Sequence, residues 1–195
     1  FGTYRINYNK PVMRKKIFYI LAALVFGFSG ISQEKYEFTI LNEVKTTPVK
    51  NQFRSGTCWS FSTCSFVETE LLRKGKGEFD ISEMYPVRYT YRQRAIDYIR
   101  YHGHLNFSGG AQSWDLINGI SVYGILPEEA YPGIGYSEPN HVHGEMDLGL
   151  KSFVEGIAQN PNNKLTPVWI NAFDGILDAY LGRTPEKFIY KGKEY

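Results

Sequence analysis

Cysteine is scarce in this 195-residue chain: only Cys58 and Cys64 are present. That excludes a disulfide-built scaffold. If the segment between them is helical, the two positions lie about 9 Å apart along its axis, beyond the roughly 7 Å Cα separation a disulfide tolerates, so both thiols are expected to be free. No Cys/His pairs stand at ligand spacing, so neither a structural zinc nor another metal or cofactor is expected. Charge of one sign is also lacking, with 22 Lys+Arg set against 20 Asp+Glu for a net +2. Outside the N-terminus no basic block suggests nucleic acid, and no acidic tail suggests a cation sink. No apolar run reaches the roughly 20 residues that a bilayer-crossing helix needs. Internal repeats and low-complexity segments are absent as well.

What is present reads as globular. Apolar residues make up 43% of the chain and charged ones 22%, which argues against disorder. The 15 Tyr and 13 Phe predict a core built on packed rings.

The N-terminus carries an address. From Met13 the chain reads Met-Arg-Lys-Lys, then an apolar run from Ile17 to Phe28, then Ser29-Gly30-Ile31-Ser32-Gln33. A basic start, a short apolar stretch and small residues near a cut describe a secretory signal peptide. Gly30 and Ser32 fall at the third and first positions before a cut ahead of Gln33. A single membrane anchor is the alternative, but the run is short for one. Residues 1–12 read as upstream, non-native sequence, 13–32 as the signal and 33–195 as the folded part. The expected destination is outside the inner membrane, periplasmic or extracellular, with transient membrane contact through the signal only; a cytoplasmic location is the alternative.

Residues 36–55 lack helical periodicity and contain Pro48, so they read as extended. From Cys58 to Lys74 the pattern turns helical, with Trp59, Ser62, Phe66 and Thr69 recurring at spacings of three and four, before Gly75 and Gly77 stop it. A turn at Asp80–Glu83 is expected to break at Pro86 and a helix to follow over Val87–Tyr101. Another helix is expected over Ser113–Tyr123, with Trp114, Ile117 and Ile120 on one side. Residues 127–145 read as an irregular loop, 147–159 and 165–181 as further helices, and the last fourteen residues as extended.

The chemistry concentrates in Gln52-Phe53-Arg54-Ser55-Gly56-Thr57-Cys58-Trp59-Ser60-Phe61-Ser62. A thiol attacks a carbonyl only as thiolate. The first turn of a helix sets Cys58 beside unsatisfied N–H groups and the positive end of the macrodipole, worth about 0.3–1 kcal/mol when exposed and up to about 2 when partly buried. Gly56 lets a substrate backbone approach closely. Acyl transfer also needs donors aimed at the developing oxyanion. Gln52, six residues earlier across a bend, can present its amide there beside the Cys58 N–H; losing one such donor typically costs about 2.7–4 kcal/mol.

Gln-x-x-Ser-Gly-Thr-Cys-Trp-Ser-Phe-Ser resembles the active-site segment of the papain superfamily of cysteine peptidases. By that resemblance Cys58 is the nucleophile and Gln52 the oxyanion-hole glutamine, with Trp59 beside the substrate site. Exported papain-like enzymes usually carry a disulfide-bonded cysteine three residues before the nucleophile. Ser55 stands there instead, which resembles the bleomycin hydrolase/aminopeptidase C branch. Ser108-Gly109-Gly110-Ala111-Gln112-Ser113-Trp114-Asp115, followed by Val122-Tyr123-Gly124-Ile125-Leu126-Pro127, is similar to the family's Gly-Gly substrate wall and the helix behind it, which implies that Gly109 and Gly110 touch the substrate backbone. Thr184–Phe188 and Tyr190–Tyr195 also resemble that branch, so the likeness spans about residues 43–195.

The implied fold is α+β, an incomplete papain-like proteinase: mainly the helical half with the nucleophile helix, most of the β-rich half missing. The implied partners are peptide substrates and, as that branch often forms hexameric rings, copies of the same chain. The implied activity is an aminopeptidase acting through a thioester on Cys58. A papain-like endopeptidase and a non-catalytic papain-like peptide-binding module are the alternatives. A papain-type site also needs a histidine base and an asparagine to orient it. His102, His104, His141 and His143 lack the context expected for that base and read as surface or loop residues, and Cys64 as a small buried hydrophobe. The catalytic His and Asn are therefore expected beyond Tyr195, and residues 33–195 alone are expected to be inactive.

Overall fold

The computed structural model describes residues 36–162 and 164–195; the expected signal segment lies outside the described residues. Two units divide at Glu43/Val44. In the first, residues 36–43 are extended and exposed.

The second unit, Val44–Tyr195, is helical: α1 (Cys58–Arg73), α2 (Met84–Arg100), α3 (Ser113–Tyr123), α4 (Gly144–Ala158) and α5 (Val168–Leu181), followed by a hairpin of β1 (Ile189–Tyr190) and β2 (Lys193–Glu194). The hairpin pairs Ile189 with Glu194 and Tyr190 with Lys193. Lys191 and Gly192 turn it with φ of 50° and 77°, the two left-handed residues that a tight turn matching strand twist demands.

Helix α2 begins earlier than its sequence suggests. Pro86 sits inside its first turn rather than ahead of it. The ring is tolerated because N–H groups of a first turn have no carbonyl to meet. The ring-rich composition does form the core: Phe107 meets Tyr91 at 6.1 Å, Tyr98 at 6.2 Å and Phe173 at 6.1 Å, joining α2 to α5. Tyr89 stacks on Tyr123 at 4.0 Å and binds α2 to α3. An ionic seam runs beside these rings, Arg88 to Asp178 at 2.6 Å and Arg92 to Asp174 at 3.1 Å.

The face that α1 buries differs from the one its apolar spacing predicts. Phe66 is 63% exposed, whereas Ser60, Thr63, Cys64 and Glu68 are buried beside Trp59. A polar stripe can be buried because each group finds a partner. Ser60 donates to the Glu83 carbonyl at 2.7 Å, Thr63 to the Trp59 carbonyl at 2.6 Å, and the Glu68 carboxylate accepts from Thr47 and from the Ile81 N–H, both at 2.7 Å. In α3 the side bearing Trp114 and Ile117 faces outward, and Leu116 takes the core position.

Candidate active site

Helix α1 opens at Cys58, whose side chain is exposed. Thr57 is the N-cap, and its hydroxyl does not cap the helix. Ser55 explains why. Its hydroxyl donates to the Gln52 carbonyl at 2.9 Å and lies 2.5 Å from the Thr57 hydroxyl. A serine hydroxyl has one hydrogen, so with that hydrogen on Gln52, Thr57 must donate to Ser55. The Cys58 backbone N–H, at the first position of the helix, has no intramolecular partner among the described residues. An exposed thiol and a free N–H at a positive helix end are the parts an acyl transfer to sulfur needs.

Gln52 lies in the loop before the helix, with its side-chain amide donating to the Ser55 carbonyl at 2.8 Å. An amide NH₂ carries two hydrogens, and the second has no partner among the described residues. Phe53, next in the loop, takes a left-handed φ of 49°, held by its N–H donating to the Asn51 side chain at 2.9 Å. The loop is bent back on itself, which keeps Gln52 near the helix start.

The three glycines expected at the substrate site come together. A Cβ on Gly56 would lie 3.6–3.7 Å from the backbone of Gly109 and Gly110, so the nucleophile loop and the Gly-Gly segment pack directly although far apart in sequence. At Gly109 itself a Cβ would come within 2.5 Å of the Tyr91 hydroxyl, while Gly110 is open. The carbonyls of this stretch are turned inward: Gly109 accepts from the Trp59 indole N–H at 3.0 Å, and Ser108 and Gly110 both accept from Arg94. Arg94 gave no sequence signal, since a surface arginine on a helix is ordinary.

Trp59 differs from its expected place beside the substrate. It is 6% exposed and its one polar atom is engaged by Gly109, so it positions the wall from behind. The histidines also divide. His102 and His104 are exposed, but His141 and His143 are 8% and 1% exposed, not surface residues. Burial lowers the pKa of both, and with the added repulsion of His141 that of His143 falls to about 4. No histidine hydrogen-bonds Cys58 among the described residues. Cys64 is buried at 1%, and burial, with Glu83 and Glu68 nearby, pushes its thiol well above the usual range.

Behind the loop, Lys50 gathers Glu68, Asp80 and Glu83 at 3.0, 2.5 and 2.7 Å. Burial alone would lower the lysine pKa; the carboxylates outweigh it and hold the ammonium above its ordinary range. Glu128, nearby, is pushed up to about 8 by burial and by the surrounding carboxylates. A cavity of about 610 Å³ beside Lys50, Phe79 and Tyr190 belongs to this region and does not include Cys58.

Residues 35–97 match the family model described as papain family cysteine protease. Cysteine proteinase 2 of Entamoeba histolytica is 26% identical over 159 residues, which cover 78% of this chain and 45% of that protein. Cathepsin L2 of Homo sapiens is 32% identical over 96 residues, covering 47% of this chain and 25% of that protein. The chain therefore spans less than half the length of these curated relatives. The matched segment is similar to the papain family cysteine protease model, and the helix-rich unit with its two short strands is consistent with an incomplete papain-like fold.

Proposed function

We propose that this chain is part of a thiol peptidase of the bleomycin hydrolase/aminopeptidase C kind. The observation that carries the reading is the exposed Cys58 thiol on the first turn of α1 with its own N–H unbonded, two residues after Gly56, which abuts Gly109 and Gly110. Cys58 sulfur attacks the scissile carbonyl, its proton passing to a histidine. Gln52 and the Cys58 N–H hold the oxyanion. The amine leaves with that proton, and water hydrolyses the thioester to release the acid and restore the thiol. Gly56, Gly109 and Gly110 lie along the substrate backbone. On this reading the histidine and its orienting asparagine come from outside this chain, a view supported by the burial of His141 and His143 and by no histidine hydrogen-bonding Cys58 among the described residues.

Aminopeptidase action rests on the branch likeness at Ser55 and at residues 184–195. Full-length protein is expected to release coumarin from free-amino aminoacyl substrates, to spare amino-blocked ones, and to lose activity in Cys58→Ala. Cleavage of blocked peptides would make it an endopeptidase. Full-length protein that an epoxysuccinyl peptide leaves unlabelled at Cys58 would be a non-catalytic peptide-binding module. Turnover by residues 33–195 alone would overturn the outside origin of the histidine. Export is supported by the Met13–Gln33 pattern, and a mature N-terminus at Gln33 would test it. Assembly into rings is tested by the mass of the full-length protein in solution.

A further inference from the structure

Residues 141–147 tie together two parts of the site that are distant in sequence. The His141 carbonyl accepts from the Arg54 N–H at 3.0 Å and the His143 N–H donates to the Arg54 carbonyl at 3.1 Å, a parallel bridge centred on Val142. Arg54 lies between Gln52 and Cys58. The His141 ring meets Phe61, one turn on from Cys58, edge-on at 5.8 Å and the His143 ring at 5.7 Å. One turn into α4, the Asp147 N–H donates to the His143 carbonyl at 2.7 Å, and the Asp147 carboxylate accepts a short bond from the Tyr91 hydroxyl. That hydroxyl fills the space that the missing side chain of Gly109 leaves. Gly109 in turn abuts Gly56. The contacts close a ring from Arg54 through His143, Asp147, Tyr91 and Gly109 back to Gly56.

We propose that Tyr91 and Asp147 are positioning residues that set the spacing between the 52–58 loop and the Gly109–Gly110 wall, with residues 141–143 as the link to Arg54. The proposal rests on the peptidase reading above. A hydroxyl–carboxylate pair is a costly way to fill a half-buried site, since an apolar pair of the same volume avoids desolvating a carboxyl group. What it adds is direction. Apolar contact limits how closely two surfaces approach, whereas the hydrogen bond to Asp147 also fixes where the hydroxyl oxygen sits, here against Gly109. Acyl transfer is sensitive to that: a displacement of about 1 Å can cost about 10²-fold in rate.

The test uses full-length protein carrying Tyr91→Phe, which keeps the ring, and Asp147→Asn, which keeps an acceptor. Tyr91→Phe is expected to lower kcat/KM on an aminoacyl-coumarin by about tenfold or more, with Asp147→Asn nearer wild type. Alkylation of Cys58 by iodoacetamide, a displacement of iodide that uses neither wall nor oxyanion donors, is expected to stay within about twofold of wild type. Unchanged kcat/KM in Tyr91→Phe, or alkylation falling in step with turnover in both variants, would overturn the proposal. Wild-type protein without turnover would sink the peptidase reading alone. Positioning is then read from labelling by an epoxysuccinyl peptide, which needs the wall, relative to iodoacetamide. A lower ratio in Tyr91→Phe supports it, and an equal ratio overturns it.

Discussion

Replacing Lys50 by Met should destabilise the fold by about 3 kcal/mol at neutral pH. The ammonium sits 2.7–3.0 Å from Glu83 and Glu68, whose side chains are 3% and 1% exposed. Without it two buried carboxyl groups lose their counter-ion. Breaking a buried pair by removing one partner costs about 3–5 kcal/mol; Lys50 is itself 27% exposed, so solvent screening sets the lower end of that range. At about 2–4 °C per kcal/mol for a protein of this size, Tm should fall by about 6–12 °C. The sign with pH is fixed by linkage. Burial already raises the folded-state pKa of Glu83 and Lys50 holds it down; without Lys50 it rises further, so the folded variant binds more protons and the deficit must shrink as pH falls. Urea unfolding of wild type and Lys50→Met at pH 7 and pH 5 measures this. A deficit below about 1 kcal/mol, or one equal at both pH values, would show that water or a rearranged partner already serves these carboxylates.

Two further outcomes separate neighbouring positions. Gly109→Ala should lose about 1–3 kcal/mol of stability, because its Cβ would meet the Tyr91 hydroxyl at 2.5 Å, while Gly110→Ala, with open space, should lose almost none; thermal melting of both decides it, and adding Tyr91→Phe to Gly109→Ala should restore part of the loss. His143 has a folded-state pKa depressed from 6.5 to about 4. The stability tied to its neutral ring is thus present above pH 6.5 and lost as pH falls towards 4, and His143→Phe should flatten the urea midpoint across that window.

The helices were legible where their ends carry strong signals. Cys58–Arg73 stops ahead of Gly75, and Ser113–Tyr123 stops at Gly124, as glycine punctuation predicts. Pro86 misled because a proline early in a helix looks the same in sequence as one that breaks it. Burial was read least well where polar groups satisfy one another: nothing in the spacing of Glu68 announces Thr47, Lys50 and the Ile81 N–H as its partners. The site's front was legible, since Gln52, Gly56 and Cys58 are close in sequence. Its back was not. Tyr91, Arg94 and Asp147 meet the wall only through the tertiary fold, and His141 and His143, in a Pro/Gly loop, became buried by pairing with Arg54.

Helix α1 begins with a residue able to cap it and does not use it. A threonine hydroxyl accepting a first-turn N–H would contribute about 1 kcal/mol, yet Thr57 turns its hydroxyl to Ser55, which has spent its own hydrogen on Gln52. No acidic side chain occupies the first turn either. Stability is forgone at a helix end where a bound anion could replace the missing cap, and the groups that forgo it, Ser55 and Thr57, are 9% and 0% exposed. The Ser55 hydroxyl holds the Gln52 carbonyl and takes up the Thr57 hydroxyl, so the turn that leaves the helix start uncapped also holds Gln52 in place. Local conflict of this sort is expected where a sequence is shaped by chemistry rather than by folding alone. On the proposed peptidase reading, a helix start that stays open to a transient negative charge fits an oxyanion better than any resident group, because a permanent partner would occupy the donors that acyl transfer needs.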